Sequence, residues 1–286
     1  MRILTWNVQW FRGIDGRVDV ARVLHHALQW GEQPHLIGLQ EVAQHCAGLD
    51  GAGCADQVAQ VRACLPGYEV FYAPAVDDWR PGLAQRQRFG NLIATRLPVL
   101  RVHPQPLPYP ADPAVPSMPR VLAALTVLAP WGALRVGCTH LAYYSARQRL
   151  AQAQALVAWQ QEAAQVANAP PAAGDEPPDQ PFQSRSHAVD AVLMGDFNAP
   201  PHDAAYRALV EGTSPVWWDA WVAANPGRPQ PPTFRVHEAG TTPVLCDYVF
   251  VTAGLRAWVR RVVVDEDTTL SDHQPILMEL APPNPI

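Results

Sequence analysis

Gly195-Asp196-Phe197-Asn198 closes an apolar run, Val189-Asp190-Ala191-Val192-Leu193-Met194, that reads as a short buried strand. Ala199-Pro200-Pro201 follows and forbids continuation as strand or helix. The strand therefore stops where an acid and an amide lie two residues apart. Strand alternation sets Asp196 and Asn198 on one side and Phe197 on the other. Such a pair suits an acid that handles a water and an amide that steadies a developing negative charge. The local alternative is an Asx turn, since Asp and Asn are common turn residues.

The same pattern recurs outward from this stretch. Ile3–Val8 reads as a first strand ending near Asn7, and Pro34–Val42 reads as another with Glu41 at its far end. Cys138-Thr139-His140-Leu141 ends a strand at His140, Leu245-Cys246-Asp247-Tyr248-Val249-Phe250 carries Asp247, and Asp272 precedes His273. Ligand sites in layered α/β proteins gather beyond strand ends, so these residues weigh more together than singly. Two or three carboxylates with an amide, and no clustered Cys or His, suit a hard oxygen-seeking cation such as Mg²⁺.

Between these points the chain alternates strands and helices. Asp19 caps a helix with Val20, Val23, Leu24, Ala27 and Leu28 at helical spacing, and Gly31 stops it. A helix near 55–65 and strands at 68–72 and 91–95 flank a polar loop over 77–90. Residues 103–119 are proline-rich and irregular, and strands at 121–128 and 134–139 surround the Pro130-Trp131-Gly132 turn. Ser145 with Gln148 makes a capping box for a helix running to about Asn168. Residues 169–187 read as a flexible insertion, because strand signals resume immediately. Asp203–Gly212 is a short capped helix, Trp217–Trp221 is core or a substrate wall, and three last strands lie at 244–251, 258–264 and 275–280.

A chain of 286 residues with 48% hydrophobic composition can bury a sizeable core. No apolar run reaches the roughly 18 residues that span a membrane, and strand-like sequence starts at once, so a soluble cytoplasmic monomer is expected. The five cysteines show no paired metal-ligand spacing and are expected as free thiols, with a Cys46–Cys54 bridge the remote alternative. All basic residues are arginine; the absence of lysine excludes lysine nucleophiles, Schiff bases and a P-loop. The net charge of −5 opposes a generally basic nucleic-acid glove. Even so, Arg80, Arg86, Arg88, Arg96 and Arg101 form a run that would make a local basic rim for a polyanion such as nucleic acid, or simply a solvated face.

Seven pieces in order resemble the endonuclease/exonuclease/phosphatase superfamily, the deoxyribonuclease I-like metal-dependent phosphoesterases. They are Thr5-Trp6-Asn7-Val8, Leu39-Gln40-Glu41-Val42, Gly90–Arg96, Thr139-His140-Leu141, Gly195–Asn198, Asp247-Tyr248-Val249-Phe250 and Ser271-Asp272-His273-Gln274-Pro275. The resemblance implies one domain over residues 1–286, folded as a four-layer α/β sandwich of two mixed sheets face to face with helices outside. It implies a Mg²⁺ site (Mn²⁺ as substitute) at Glu41, completed by Asn7 and Asp272 directly or through water. Asp196 would position and deprotonate the attacking water, and Asn198 would bind a phosphoryl oxygen. Asp247 would hold His273 protonated toward the scissile phosphate, His140 would assist at the phosphate or leaving group, and Asn91 and Arg120 would touch phosphate. The implied activity is a phosphodiesterase or nuclease. A phosphomonoesterase or sphingomyelinase-like lipid phosphodiesterase is the alternative, and a catalytically dead binding module the third reading. Gln9, where abasic-site endonucleases carry an acid, and His140, where they carry Tyr, weigh against a repair endonuclease. The stretch near Tyr72-Ala73-Pro74 lacks the carboxylate that supports the corresponding histidine in deoxyribonuclease I.

Overall fold

A computed structural model describes residues 1–170, 172, 180, 187–212 and 216–283. The expected insertion at 169–187 falls largely outside the described residues. One mixed sheet holds β1 (Arg2–Asn7), β2 (Leu36–Gln44), β3 (Glu69–Asp78), β4 (Gln87–Thr95), β12 (Val259–Val264) and β13 (Ile276–Leu280), in the order β12-β13-β1-β2-β4-β3. The second holds β5 (Val99–Val102), β6 (Gln105–Pro106), β7 (Val121–Ala129), β8 (Gly132–His140), β9 (Ala191–Asp196), β10 (Trp218–Asp219) and β11 (Asp247–Val251). Its order is β10-β11-β9-β8-β7-β5, with β6 also paired to β7. β1–β2 and β8–β9 are parallel and the remaining pairs antiparallel.

Successive side chains of each strand point to opposite faces of its sheet, and because both faces are covered the strands read as nearly continuous apolar runs. Ile3, Leu36, Ile93, Val136, Cys138, Val192, Met194, Val249 and Met278 point inward to a core between the sheets. Leu4, Trp6, Ile37, Leu39 and Leu92 point outward to α1 (Val20–Trp30) and α2 (Gln57–Cys64). Leu122, Leu193, Tyr248 and Phe250 point outward to α3 (Ala146–Asn168) and α4 (Ala204–Val210). The result is four layers: helices, sheet, sheet, helices. The short α5 (Ala220–Ala224) and α6 (Ala253–Arg256) complete the described helices.

The local signals explain much of this. Asp19 accepts from the backbone N–H of Arg22 to start α1, and Gly31 ends it. Ser145 accepts from the Gln148 N–H, but the Gln148 side chain turns to the Pro110 carbonyl and Ser117, so half the expected capping box forms. The polar stretch expected as a loop over 77–90 is partly sheet, because Asp77 and Asp78 pair with Arg88 and Gln87 across β3–β4. Trp217 is fully buried, and Trp218 and Trp221 pack against the inter-sheet core, so this aromatic cluster is core and no substrate wall. All five cysteines are free, with no Cys46–Cys54 bridge. Among the described residues no helix is long and apolar enough to cross a membrane.

Candidate active site at one end of the inter-sheet core

Inward parity carries beyond the apolar core to a polar cluster. Residues 3, 5 and 7 of β1 point inward, as do 136 and 138 of β8, 192 and 194 of β9, and 249 and 251 of β11. Continuing each series places Asn7, His140, Asp196 and Asp247 at the same end of the space between the sheets. Asp247 pairs with Asp196, and Asp196 with His140, across adjacent strands.

Glu41 arrives by a different route. Leu39 and Val42 both face the outer helices, and plain alternation would turn Glu41 outward as well. The β2–β4 register shifts between Leu39 and Val42, and Glu41 has a left-handed φ of 61°. Pairing with β4 resumes after this bulge at Val42 and runs to Gln44, two residues beyond the expected strand, and the bulge aims the carboxylate inward. Glu41 Oε1 accepts from Asn7 Nδ2 at 3.1 Å and lies 3.9 Å from His140 Nδ1. Beneath it Gln40 is wholly buried and donates to Thr5 Oγ1 and Cys138 Sγ, forming the floor of the site.

The Asp196 end is equally constrained. Gly195 has φ 139°, and a Cβ there would sit 1.9 Å from the Thr139 carbonyl oxygen, so only glycine lets β9 approach β8 here. Asp196 Oδ2 accepts from Asn7 Nδ2 at 3.0 Å and lies 3.4 Å from His140 Nε2 and 3.6 Å from His273 Nε2. Asp196 Oδ1 accepts from the Asn198 N–H, and Asn198 Nδ2 donates to the Leu141 carbonyl. With φ 48°, Asn198 has left the strand, so simple alternation does not describe it. The Asx turn and the polar site are therefore one structure.

His273 Nδ1 meets Asp247 Oδ2 at 2.9 Å. Thr233 Oγ1 donates to the same oxygen at 2.6 Å, and the His273 ring stacks on Phe234 with centroids 4.5 Å apart. Ser271 Oγ donates to the Asn7 carbonyl at 2.7 Å, Trp6 Nε1 donates to the His273 carbonyl, and Asp272 follows Ser271 into the cluster. Asn91 on β4 donates across to the Val121 carbonyl of the second sheet. With Arg120, His140 and Glu41 it lines a narrow crevice, so these two candidates join the others.

The electrostatics follow from crowding four carboxylates into a buried space. Burial, reinforced by Asp272, pushes Glu41 up to about 7. Burial and the Asp247 charge raise Asp196 to about 6. Burial likewise raises Asp272, with His273 opposing. Burial would depress His273, but the carboxylates of Asp247 and Asp196 override it and lift the imidazole to about 10. His140 goes the opposite way: burial, then Arg120 and His273, hold it neutral. One histidine is thus a cation and the other a neutral ring.

This donor set fits a divalent cation. Hard oxygens crowd together, and the Glu41, Asp196 and Asp272 carboxyls resist ionising until positive charge arrives. A second grouping brings ligand atoms of Asp196, Cys246, Asp247 and His273 within 4.8 Å of one another. Asp247 Oδ2 is engaged there by Thr233, His273 and Cys246, and burial keeps the Cys246 thiol protonated, which favours the oxygen-rich side for metal.

The arginine run does not form a common rim. Arg86 and Arg88 both pair with Asp77, Arg96 turns to the Pro34 carbonyl at the opposite end of β2, and Arg101 faces His187. Thr233 and Phe234 carried no sequence signal; they sit in irregular chain after Pro231-Pro232. Ser271 stood inside a recognisable motif, and its hydroxyl role needed coordinates to appear.

The model of the Endonuclease/Exonuclease/phosphatase family matches residues 4–273. The chain belongs to this family. Family members hydrolyse phosphoesters and generally use a divalent metal. Solved structures repeat the family fold. An endonuclease/exonuclease/phosphatase from Beutenbergia cavernae DSM 12333 is 22% identical with TM-score 0.66, the match covering 98% of this chain and 71% of that one. A mannosyl-6-phosphatase from Bacteroides thetaiotaomicron VPI-5482 is 19% identical with TM-score 0.68, covering 98% and 99%. The human nocturnin catalytic domain with bound sulfate anion is 19% identical with TM-score 0.63, covering 98% and 93%. No curated protein matches by sequence. Identities this low carry the fold of this family member and leave its substrate open.

Proposed function

We propose that this chain is a Mg²⁺-dependent phosphodiesterase, one domain with a single active site at the polar end of the inter-sheet core. The observation that carries the reading is the division of charge there: four crowded carboxylates, a protonated His273 and a neutral His140 within one cluster.

Glu41 and Asp272 would hold the metal, with Mn²⁺ as a substitute; Asn7, whose Nδ2 donates to Glu41 and Asp196 and whose Oδ1 accepts from the Gln9 N–H, would complete the site through water or after its amide turns. When bound, the cation offsets negative charge on the phosphoryl group and its leaving oxygen. Asp196, anionic above about pH 6, orients a water through its carboxylate and takes its proton. The His273 imidazolium, fixed by Asp247, donates to a non-bridging phosphoryl oxygen as charge builds there. Asn198 contacts a second phosphoryl oxygen from the Asx turn, and Asn91 and Arg120 flank the phosphate. His140, neutral and close to Asp196, serves the phosphate or the leaving group.

The carboxylate excess favours a diester. A diester carries one negative charge and a monoester dianion two, so repulsion from four acids weighs less on the diester. The mannosyl-6-phosphatase among the similar structures supports a second, monoester reading. A turnover panel with Mg²⁺ decides between them: nitrophenyl phosphodiester, plasmid DNA, RNA, inositol phosphates, sugar phosphates and sphingomyelin. Diester turnover that disappears in excess chelator is expected. Turnover of monoesters alone would overturn the diester reading, and full turnover in chelator would overturn the metal.

A further inference from the structure

The outer face of the second sheet carries a cleft of about 480 Å³ between β5, β7, β8 and the C-terminal half of α3. It lies away from the candidate active site. Arg135 pairs with Ala191, five residues before Asp196 on β9, a separation of roughly 17 Å along the strand at ~3.3 Å per residue. Arg135 also has the opposite parity from inward-facing Val136 and Cys138.

The lining consists of cations and donors. Arg135 is only 3% exposed. Its guanidinium stands 3.7 Å over the Trp159 ring and donates to Gln160 Oε1 at 2.7 Å and to the Trp159 carbonyl at 3.3 Å, all neutral partners. Arg101 Nη1 meets His187 Nε2 at 3.2 Å, and His103 Nε2 meets Thr126 Oγ1 at 3.2 Å. Among the described residues, no carboxylate lies within ion-pair distance of Arg101 or Arg135, and Glu162 is the one acid lining the cleft. The indole Nε1 of Trp159, a residue 5% exposed, has no hydrogen-bond partner.

Burying a guanidinium whose one nearby acid, Glu162, stays beyond ion-pair distance is costly. The strain is visible in the neighbours: burial, then Arg135, Arg101 and His187, pull His103 down to about 4. An occupant with negative charge and several acceptor oxygens would relieve all of these together.

We infer that this cleft binds the phosphoryl group of a small molecule, held between Arg101 and Arg135 with the Thr126 hydroxyl as a further donor. The volume exceeds what a lone phosphate fills and leaves room for a carrier. The inference does not depend on the proposed catalytic function.

The test uses the full chain in excess chelator, with the imidazole signals of His103 and His187 followed by NMR. Inorganic phosphate and the non-hydrolysable phenylphosphonate are titrated in turn. Both signals should shift saturably and at one common affinity. Arg101→Gln, a change at a partly exposed position, should weaken that affinity by about tenfold or more, the loss of a charge-assisted bond. Tighter binding of phenylphosphonate indicates a ligand with a carrier; equal or weaker binding indicates free phosphate. Static His103 and His187 signals, or unaltered affinity in folded Arg101→Gln, would overturn the inference. The wild-type titration decides by itself if that variant does not fold.

Discussion

Thr233 offers the sharpest prediction, because its hydroxyl reaches the cluster through Asp247. Its hydroxyl is wholly buried, donates to Asp247 Oδ2 at 2.6 Å and accepts from the backbone N–H groups of Asp247 and Cys246. Thr233→Val keeps the shape and removes all three bonds. A hydrogen bond to an ionised group contributes roughly 1.5–3 kcal/mol, and stranding two buried amides adds to the loss. We expect a stability loss of roughly 2–4 kcal/mol, which at about 2–4 °C per kcal/mol lowers Tm by roughly 5–15 °C. Below the variant's Tm, kcat on a nitrophenyl phosphodiester should fall about 10- to 100-fold, as for other residues that orient a catalytic group, with KM nearly unchanged. Thr233→Ser retains the hydroxyl and should recover kcat to within about threefold. Wild-type kcat in folded Thr233→Val, or a Ser variant as slow as the Val variant, would refute the claim that this hydroxyl positions the Asp247–His273 pair.

Mg²⁺ binding measured by calorimetry should tighten as pH rises through about 7, since the raised Glu41 carboxyl must release its proton to bind metal; pH-independent binding would contradict the role of Glu41. In chelator, the Tm of the wild type relative to a Glu41→Gln/Asp196→Asn double variant should fall between about pH 4 and 7, a difference in which the opposing effect of the depressed His103 and His140 largely cancels. Glu41 and Asp196 have folded pKa values above their unfolded ones, so the stability they contribute is fully present at low pH and is lost as pH rises through the folded values. Added Mg²⁺ should restore most of that loss, and a Tm difference that stays flat with pH in chelator would count against the crowded-carboxylate account. Gly195→Ala should lower Tm by about 10 °C or more, or prevent folding, because its Cβ meets the Thr139 carbonyl; a normal Tm would mean β8 and β9 can part at little cost.

Much of this site was legible because its carriers are local. Asp196 follows an unbroken apolar strand and precedes two prolines, and the Asp19 cap and Gly31 stop fixed α1 without help from the rest of the chain. Parity then did the remaining work, since a buried strand dictates which side its terminal acid takes. Glu41 stands out in the sequence as a candidate, but its route into the cluster is hidden: a bulge depends on the partner strand, and no spacing within residues 36–44 reveals it. The β3–β4 extension was missed for a similar reason, because Asp77 and Arg88 form strand only against each other. That same pairing removed Arg86 and Arg88 from the imagined basic rim. Thr233 and Phe234 lie in aperiodic chain, so only their contacts in three dimensions disclose them.

The central claim is that Asp196 and His273 act as one unit on a phosphoester. Turnover of a nitrophenyl phosphodiester with Mg²⁺ by Asp196→Asn, His273→Ala and the double variant measures it directly. Each single variant should lose about a thousandfold or more in kcat, and the double variant should be no more than about tenfold slower than the worse single. Wild-type turnover in either folded single variant, or fully multiplicative losses in the double, would contradict it.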